Sequence, residues 1–157
     1  MGIEIERKFL VNKSLFKSIK IDSSSKILQG YLYSDDYKTI RVRTKDEKGF
    51  ITIKGKTIIA SRPEFEYEIP YSEAIEILET LCDSTISKTR NYIKHNNHIW
   101  EVDVFDGQNS DLIMAEIELK NINEKIDLPK WIIEEVTYNN KYYNNYLSKV
   151  PFNTWGK

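Results

Sequence analysis

The chain has few of the residues that staple, coordinate or anchor a protein. Of 157 residues, only Cys82 is a cysteine, so an internal disulfide is excluded. The two histidines, His95 and His98, are isolated from Cys82 and form no Cys/His cluster of the kind zinc takes. Gly55-Lys56-Thr57 is present, but the glycine a phosphate loop needs five residues earlier is replaced by Phe50, so no glycine-rich phosphate loop is present. No apolar run is long enough to span a bilayer, and the start lacks the basic and apolar regions of a signal peptide. An excess of one charge is missing too: 23 basic and 24 acidic residues give a net charge of -1, which removes the simple case for attachment to nucleic acid or membrane. With no linker, repeat or low-complexity tract, one domain over residues 1–157 is expected, in a soluble cytoplasmic protein.

What the chain does have is alternation. In an extended strand, successive side chains point to opposite faces. The opening Glu4-Ile5-Glu6-Arg7-Lys8-Phe9-Leu10 therefore puts Glu4, Glu6 and Lys8 on one face and Ile3, Ile5 and Phe9 on the other. Later stretches repeat the pattern. Arg41 and Arg43 lie opposite Ile40 and Val42, Lys54 and Lys56 opposite Ile51 and Ile53, and Glu64, Glu66 and Glu68 opposite Phe65, Tyr67 and Ile69. Lys88, Arg90 and Tyr92 are in phase; Glu101 and Asp103 oppose Trp100, Val102 and Val104; Glu116 and Glu118 oppose Ala115, Ile117 and Leu119. Strands are expected from Ile27 to Tyr33 and from Leu112 to Lys120, with a turn over Lys45–Gly49 and a loop over Asp22–Ser25. Short helices are expected over Lys13–Ile19, from an N-cap at Ser72, and from about Asn140 to Lys149, with a frayed tail from Pro151.

Two architectures suit such faces. In a sandwich the ionic sides face bulk water and carry no special meaning. In a closed antiparallel barrel they line the interior, which must then hold water, metal and an anionic ligand, because an unpartnered buried charge costs several kcal/mol.

The ordered set of Glu4-Ile5-Glu6-Arg7-Lys8, Gln29-Gly30-Tyr31-Leu32, Arg41-Val42-Arg43, Thr52-Ile53-Lys54, Arg62 with Glu64 and Glu66, Lys88-Thr89-Arg90, Asp103-Val104-Phe105, Glu116-Ile117-Glu118 and Glu135-Val136-Thr137 resembles the CYTH family, the triphosphate tunnel metalloenzymes. The resemblance runs from Gly2 to about Leu147. It implies a mainly β (α+β) fold: a closed eight-stranded antiparallel β-barrel tunnel with helices packed on the outside. Glutamates would hold a divalent metal, and lysines and arginines a triphosphate. The short bacterial members with this opening are mostly tripolyphosphatases or nucleoside triphosphatases, while others are thiamine triphosphatases or class IV adenylate cyclases.

The residue types point the same way. Crowded carboxylates take up protons unless a cation lies among them, and all-oxygen ligation suits Mg2+ or Mn2+. Glu4, Glu6, Glu116 and Glu118 are the metal candidates, with Asp103, Glu64 and Glu66 as further ones. Arg41, Arg43, Arg62 and Arg90 can grip phosphate oxygens through their planar forks, and Lys8, Lys54 and Lys88 act as point charges. Water attacking the terminal phosphorus needs a base: a metal-bound water oriented by Glu4 or Glu6, or Lys88 relaying its proton through the Tyr31 hydroxyl. The expected partner is a small triphosphate, with no nucleic acid, because acids interleave with bases on the same face. Cyclisation of ATP and non-catalytic binding of polyphosphate or nucleotide are the other readings. Lys141, Tyr142 and Asn144 stand where they close a tunnel mouth or pack as a terminal helix, and Asn139-Asn140 departs from the family's more charged version.

Overall fold

Strict alternation leaves each strand with one register that buries its apolar side, since a one-residue slip would exchange the two faces. The computed structural model describes residues 2–156. Its elements run β1 (Gly2–Val11), α1 (Lys13–Phe16), β2 (Ser23–Ser34), β3 (Lys38–Lys45), β4 (Lys48–Gly55), β5 (Ser61–Ile69), α2 (Tyr71–Thr80), β6 (Thr85–His95), β7 (His98–Phe105), β8 (Ile113–Glu118), β9 (Ile132–Glu135) and α3 (Asn144–Lys149). The antiparallel order β5-β4-β3-β2-β6-β7-β8-β1 closes on itself through β1–β5 pairing, from Gly2 opposite Glu64 to Ile5 opposite Ser61. Eight strands therefore make a barrel. The ninth, β9, pairs with Phe9, Leu10 and Val11 on β1.

Cross-strand partners share a face, so the register identifies the lining. Lys8 faces Glu116, Glu6 faces Glu118, Arg90 faces Asp103, Arg41 faces Thr52, and Lys54 faces Glu64. These ionic sides point inward, and the hydrophobic core lies outside. On one flank Phe9, Trp100, Val102, Ile117 and Trp131 pack together, with Trp100 set edge-on between the Phe9 and Trp131 rings. On the other, Ala74 and Leu78 of α2 cover Val42. Helices supply only part of this outer cover. Around Trp100, the chain from Leu119 to Trp131, β9 and the one-turn α1 do the work that the fold expectation gave to helices.

The lining changes character toward one end. Leu10 opposite Met114, and Ile86 and Phe105 on their own strands, continue the inward phase of Lys8, Lys88 and Asp103, yet they are apolar. They pack with Leu112 and with Leu147 of α3, while Tyr142, Phe152 and Trp155 close over them. The interior is thus stoppered at that end by the C-terminal segment. The tail from Pro151 is accordingly ordered rather than frayed: Phe152–Thr154 form a 3-10 turn, and Trp155 donates to the Val150 carbonyl at 3.0 Å.

Other boundaries also shift. Ser23, Ser24 and Ser25 belong to β2, paired with Tyr92, Asn91 and Arg90, because backbone pairing does not need apolar side chains at a strand's end. Helix α2 starts at Tyr71 after Pro70, and Ser72 does not cap it. The β3–β4 turn is the two residues Asp46-Glu47, with Asp46 at φ 52°, so Gly49 lies inside β4. A Cβ there would stand 2.7 Å from the Ala74 Cβ and 3.0 Å from the Ile69 carbonyl oxygen. Glycine lets α2 seat directly on the barrel. Gly49→Ala is expected to destabilise the fold by about 1–3 kcal/mol, read as a lower urea midpoint, since the packed helix must move to admit the methyl group.

Candidate active site

Inward-pointing side chains from all eight barrel strands, ionic on every strand but β2, which supplies Tyr31, bound a cavity of about 220 Å3. Typical small-molecule pockets are larger, ~300–1,000 Å3, and mostly apolar. This one is lined by ions. Seven cationic and seven acidic side chains face it, so the wall as built is close to neutral.

The acids and bases are interlocked. Arg62 Nε donates to Glu4 Oε2 at 2.9 Å, and Lys54 Nζ lies 3.1 Å from Glu4 and 3.2 Å from Glu64. Lys8 Nζ donates to Glu116 at 3.0 Å and lies 3.2 Å from Glu6. Arg90 reaches Glu116 at 3.2 Å and also pairs with Glu101. Arg43 and Arg41 share a single carboxylate, Glu66, at 3.2 and 3.5 Å, and Thr52 donates to the same oxygen at 2.8 Å. Both arginines keep a buried Nε with no partner in the protein.

These surroundings set the protonation states. Burial opposes charge on Glu4 and Glu116, yet Lys54 and Arg62 hold the first below the usual carboxylate range, and Lys8 and Arg90 hold the second well below it. Glu6, Glu101 and Glu118 go the other way. Burial raises all three, aided by Glu116 around Glu6 and Glu101, and by Glu4 and Glu64 around Glu118. Buried carboxylates crowded by other carboxylates are what a hard divalent cation relieves. Burial, reinforced by Arg41, lowers Arg43 to about 10. Burial also brings Lys88 down to about 8, with Arg90 adding to the shift and Asp103 opposing it.

Of the residues singled out from sequence, Glu4, Glu6, Lys8, Tyr31, Arg41, Arg43, Lys54, Arg62, Glu64, Glu66, Lys88, Arg90, Glu116 and Glu118 all line the cavity. Asp103 does not. It is wholly buried behind the wall, where Arg90 donates to both of its oxygens at 2.8 Å and Lys88 to one at 2.7 Å. That makes it a counter-ion for two cations. Tyr31 is not bonded to Lys88 either; its hydroxyl meets Gln29 Nε2 at 3.2 Å, and the Lys88 ammonium donates to Asp103 and to Asn144 Oδ1. Glu101, Thr39, Tyr143, Asn144 and Asn145 also line the cavity. Glu101 had a readable signal, being in phase with Asp103. Of the mouth-closing candidates, only Asn144 reaches the cavity: Lys141 stacks over Trp155, and Tyr142 packs in the apolar stopper.

The donor set for a metal is all carboxylate: Glu4, Glu6, Glu116 and Glu118, with Glu64, Glu66 and Glu101 beside them. All but Glu118 pair with neighbouring cations, and among the described residues no three acidic, histidine or cysteine side chains already converge as an ion cage. The wall chemistry fits a hard divalent cation, which would compete with Lys54, Arg62 and Lys8 for the same oxygens.

The described residues thus form an eight-stranded antiparallel barrel around a cavity lined by seven cationic and seven acidic side chains. The chain belongs to the CYTH family, whose domain description matches residues 2–151. It is 44% identical over 153 residues to an inorganic triphosphatase of Acetivibrio thermocellus, covering 97% of each chain. It is 31% identical over 149 residues to an inorganic triphosphatase of Nitrosomonas europaea, covering 92% of this chain and 96% of that one. A crystal structure of an inorganic triphosphatase superposes with a TM-score of 0.67 at 29% identity, over 92% of this chain and 93% of that one.

If Asp103 is the counter-ion to Lys88 and Arg90, Asp103→Ala strands two buried charges and should cost about 3–5 kcal/mol in denaturant unfolding. A loss under ~1 kcal/mol would contradict that role.

Proposed function

We propose that this protein hydrolyses the terminal phosphate of inorganic tripolyphosphate, and with lower preference that of nucleoside triphosphates, using Mg2+ or Mn2+. The observation that carries the reading is the Arg41–Arg43 pair: two inward guanidiniums share one carboxylate, and each holds a buried Nε donor without a partner. An anion rich in oxygens completes them. Arginine's planar fork matches phosphate, and a buried donor left unpaired costs about 1–3 kcal/mol. Because the wall is already near neutrality, a triphosphate's several negative charges call for added cations. The carboxylates of Glu4, Glu6, Glu116 and Glu118, with Glu64 and Glu66, would hold them.

In this reading Arg41, Arg43, Arg62 and Arg90 orient the phosphate chain, and Lys8 and Lys54 neutralise it. The stopper at one end lets the chain enter only from the other, which leaves water attack in line on a terminal phosphorus. When bound, the metal supplies further charge neutralisation and lowers the pKa of a coordinated water. Lys88 is the favoured base. Its pKa, lowered to about 8, leaves a minor but appreciable neutral fraction near neutral pH, and the residue lines the cavity. Tyr31 shapes and hydrogen-bonds the pocket without a direct link to that amine.

Phosphate release from tripolyphosphate, ATP and thiamine triphosphate, each with Mg2+ or Mn2+, tests the reading. Tripolyphosphate with either metal should be the best substrate, and chelation should stop turnover. Tight binding of tripolyphosphate without phosphate release would make the protein a binding module instead, and cyclic AMP from ATP would make it a cyclase. Arg41→Ala and Arg43→Ala should each lower kcat/KM by about 100–1,000-fold, the range for losing one preorganised donor to developing charge. A base must be deprotonated to act, so kcat should climb as pH rises toward about 8 and then level. Lys88→Ala should abolish that climb, and an undiminished rate in the variant would remove Lys88 from the role.

A further inference from the structure

We infer that Asn144, the first residue of α3, is a positioning residue for Lys88, and that the C-terminal segment is thereby part of the reacting site as well as its stopper. The inference rests on the triphosphatase reading for its substrate, and on hydrogen-bond geometry for the rest.

Lys88 is 2% exposed, and its ammonium has three protons to place. One goes to Asp103 Oδ2 at 2.7 Å and a second to Asn144 Oδ1 at 3.0 Å. That leaves one for the cavity. Asp103 alone cannot fix the amine, because it already accepts twice from Arg90, and a lysine stem of four carbons is free to rotate. With Asn144 removed, the Nζ would keep one anchor and could turn toward the carboxylate wall, where Glu116 already attracts it electrostatically. Asn144 supplies the second anchor without adding a charge that would repel a phosphate.

The amide's orientation follows from the same bond. A charged Lys88 cannot accept, so in that state the asparagine oxygen faces it and the nitrogen faces away; a neutral Lys88 can keep both donations, to Asp103 and to Asn144, with its lone pair left for the cavity. Asn144 lines the cavity, and among the described residues nothing accepts from that nitrogen. It is a neutral donor placed beside the amine, available to a phosphate oxygen.

The residue is held from both sides. Tyr143 donates its hydroxyl to the Thr137 carbonyl at 3.0 Å and sets its ring 5.1 Å from Lys8 Nζ. Asn145 Nδ2 donates to Ser34 Oγ at 2.9 Å, and Leu147, one turn on, is fully buried in the stopper. Asn144 is 8% exposed. Backbone and side chain are fixed together, which is what a group must have to aim another.

The experiment compares Asn144→Ala and the near-isosteric Asn144→Leu with Ser148→Ala, which removes a buried hydroxyl from the same helix away from the cavity. Thermal unfolding checks that each is folded. On tripolyphosphate with Mn2+ or Mg2+, both Asn144 variants should lose about 10–100-fold in kcat, the scale of a misplaced reacting group, with KM rising less than about tenfold. Asn144→Gln, which keeps both polar groups, should recover part of the lost kcat. Ser148→Ala should stay within about twofold of the parent. An Asn144 variant that keeps kcat within twofold, a loss confined to KM, or an equal loss in Ser148→Ala overturns the inference. If the parent protein releases no phosphate, the triphosphatase reading fails by itself. Calorimetric affinity for tripolyphosphate then judges Asn144 separately: weakening of about threefold or more in the alanine variant upholds its cavity-facing role, and unchanged affinity overturns it.

Discussion

Everything in this molecule depends on keeping opposite charges interleaved around a space too wet to be a core. The connected set Lys8–Glu116–Arg90–Asp103–Lys88 shows the constraint most directly, since each acid in it answers two cations. An isolated ion at such depth would cost several kcal/mol, whereas linked ions with satisfied hydrogen bonds do not demand that penalty one by one. The apolar residues must then find each other elsewhere. They do so on the outer surface of the wall, under α2 and around Trp100, so the barrel's hydrophobic core is a jacket.

That division explains which parts of the architecture could be read from the chain. A two-residue period survives any loop or turn, so Glu4, Arg43, Lys54, Lys88 and Glu118 all declared the same face from their local sequence alone. Where side-chain period and backbone pairing separate, the reading failed. Ser23–Ser25 have no apolar face and yet extend β2, and the Pro151 tail has little period but carries Phe152 and Trp155, whose rings find Tyr142 only in three dimensions. Alternation gives direction, not depth. Asp103 and Glu101 share a phase, but one lies sealed behind Arg90 and the other opens to the cavity. No pattern along the strand separates them, because the difference comes from how Arg90 and Lys88 crowd one carboxylate. Asn144 was legible only as a residue that could close the mouth or pack in a terminal helix, for a related reason: its contact with Lys88 lies 56 residues away along the chain.

The cavity is balanced overall but not uniformly. Arg41 and Arg43 on β3 share one carboxylate and keep unpartnered Nε donors, while Glu6 and Glu118, directly opposite each other on β1 and β8, are pressed by burial and by other acids. Under the proposed function a triphosphate would take the first region and a hard cation the second, each neutralising what the other brings. On that reading substrate and metal would be linked by charge before any chemistry begins, the filled cage being better compensated than one holding either alone.

The strand β1 carries a consequence for how the chain assembles. Its first half is zipped to Ser61–Glu64, its second half to Met114–Glu118, and its far end to Ile132–Glu135. During synthesis this segment emerges before any of those partners exists, so Glu4, Glu6 and Lys8 wait beside a growing polypeptide whose other hairpins, β3–β4 and β6–β7, can form from neighbouring residues at once. Closing the wall is thus the long-range step, slowed by the entropy of a loop of more than a hundred residues to Glu116. The charged amino-terminal strand suits that delay: alternating ions keep an unpaired edge soluble until the rest of the barrel arrives to receive it.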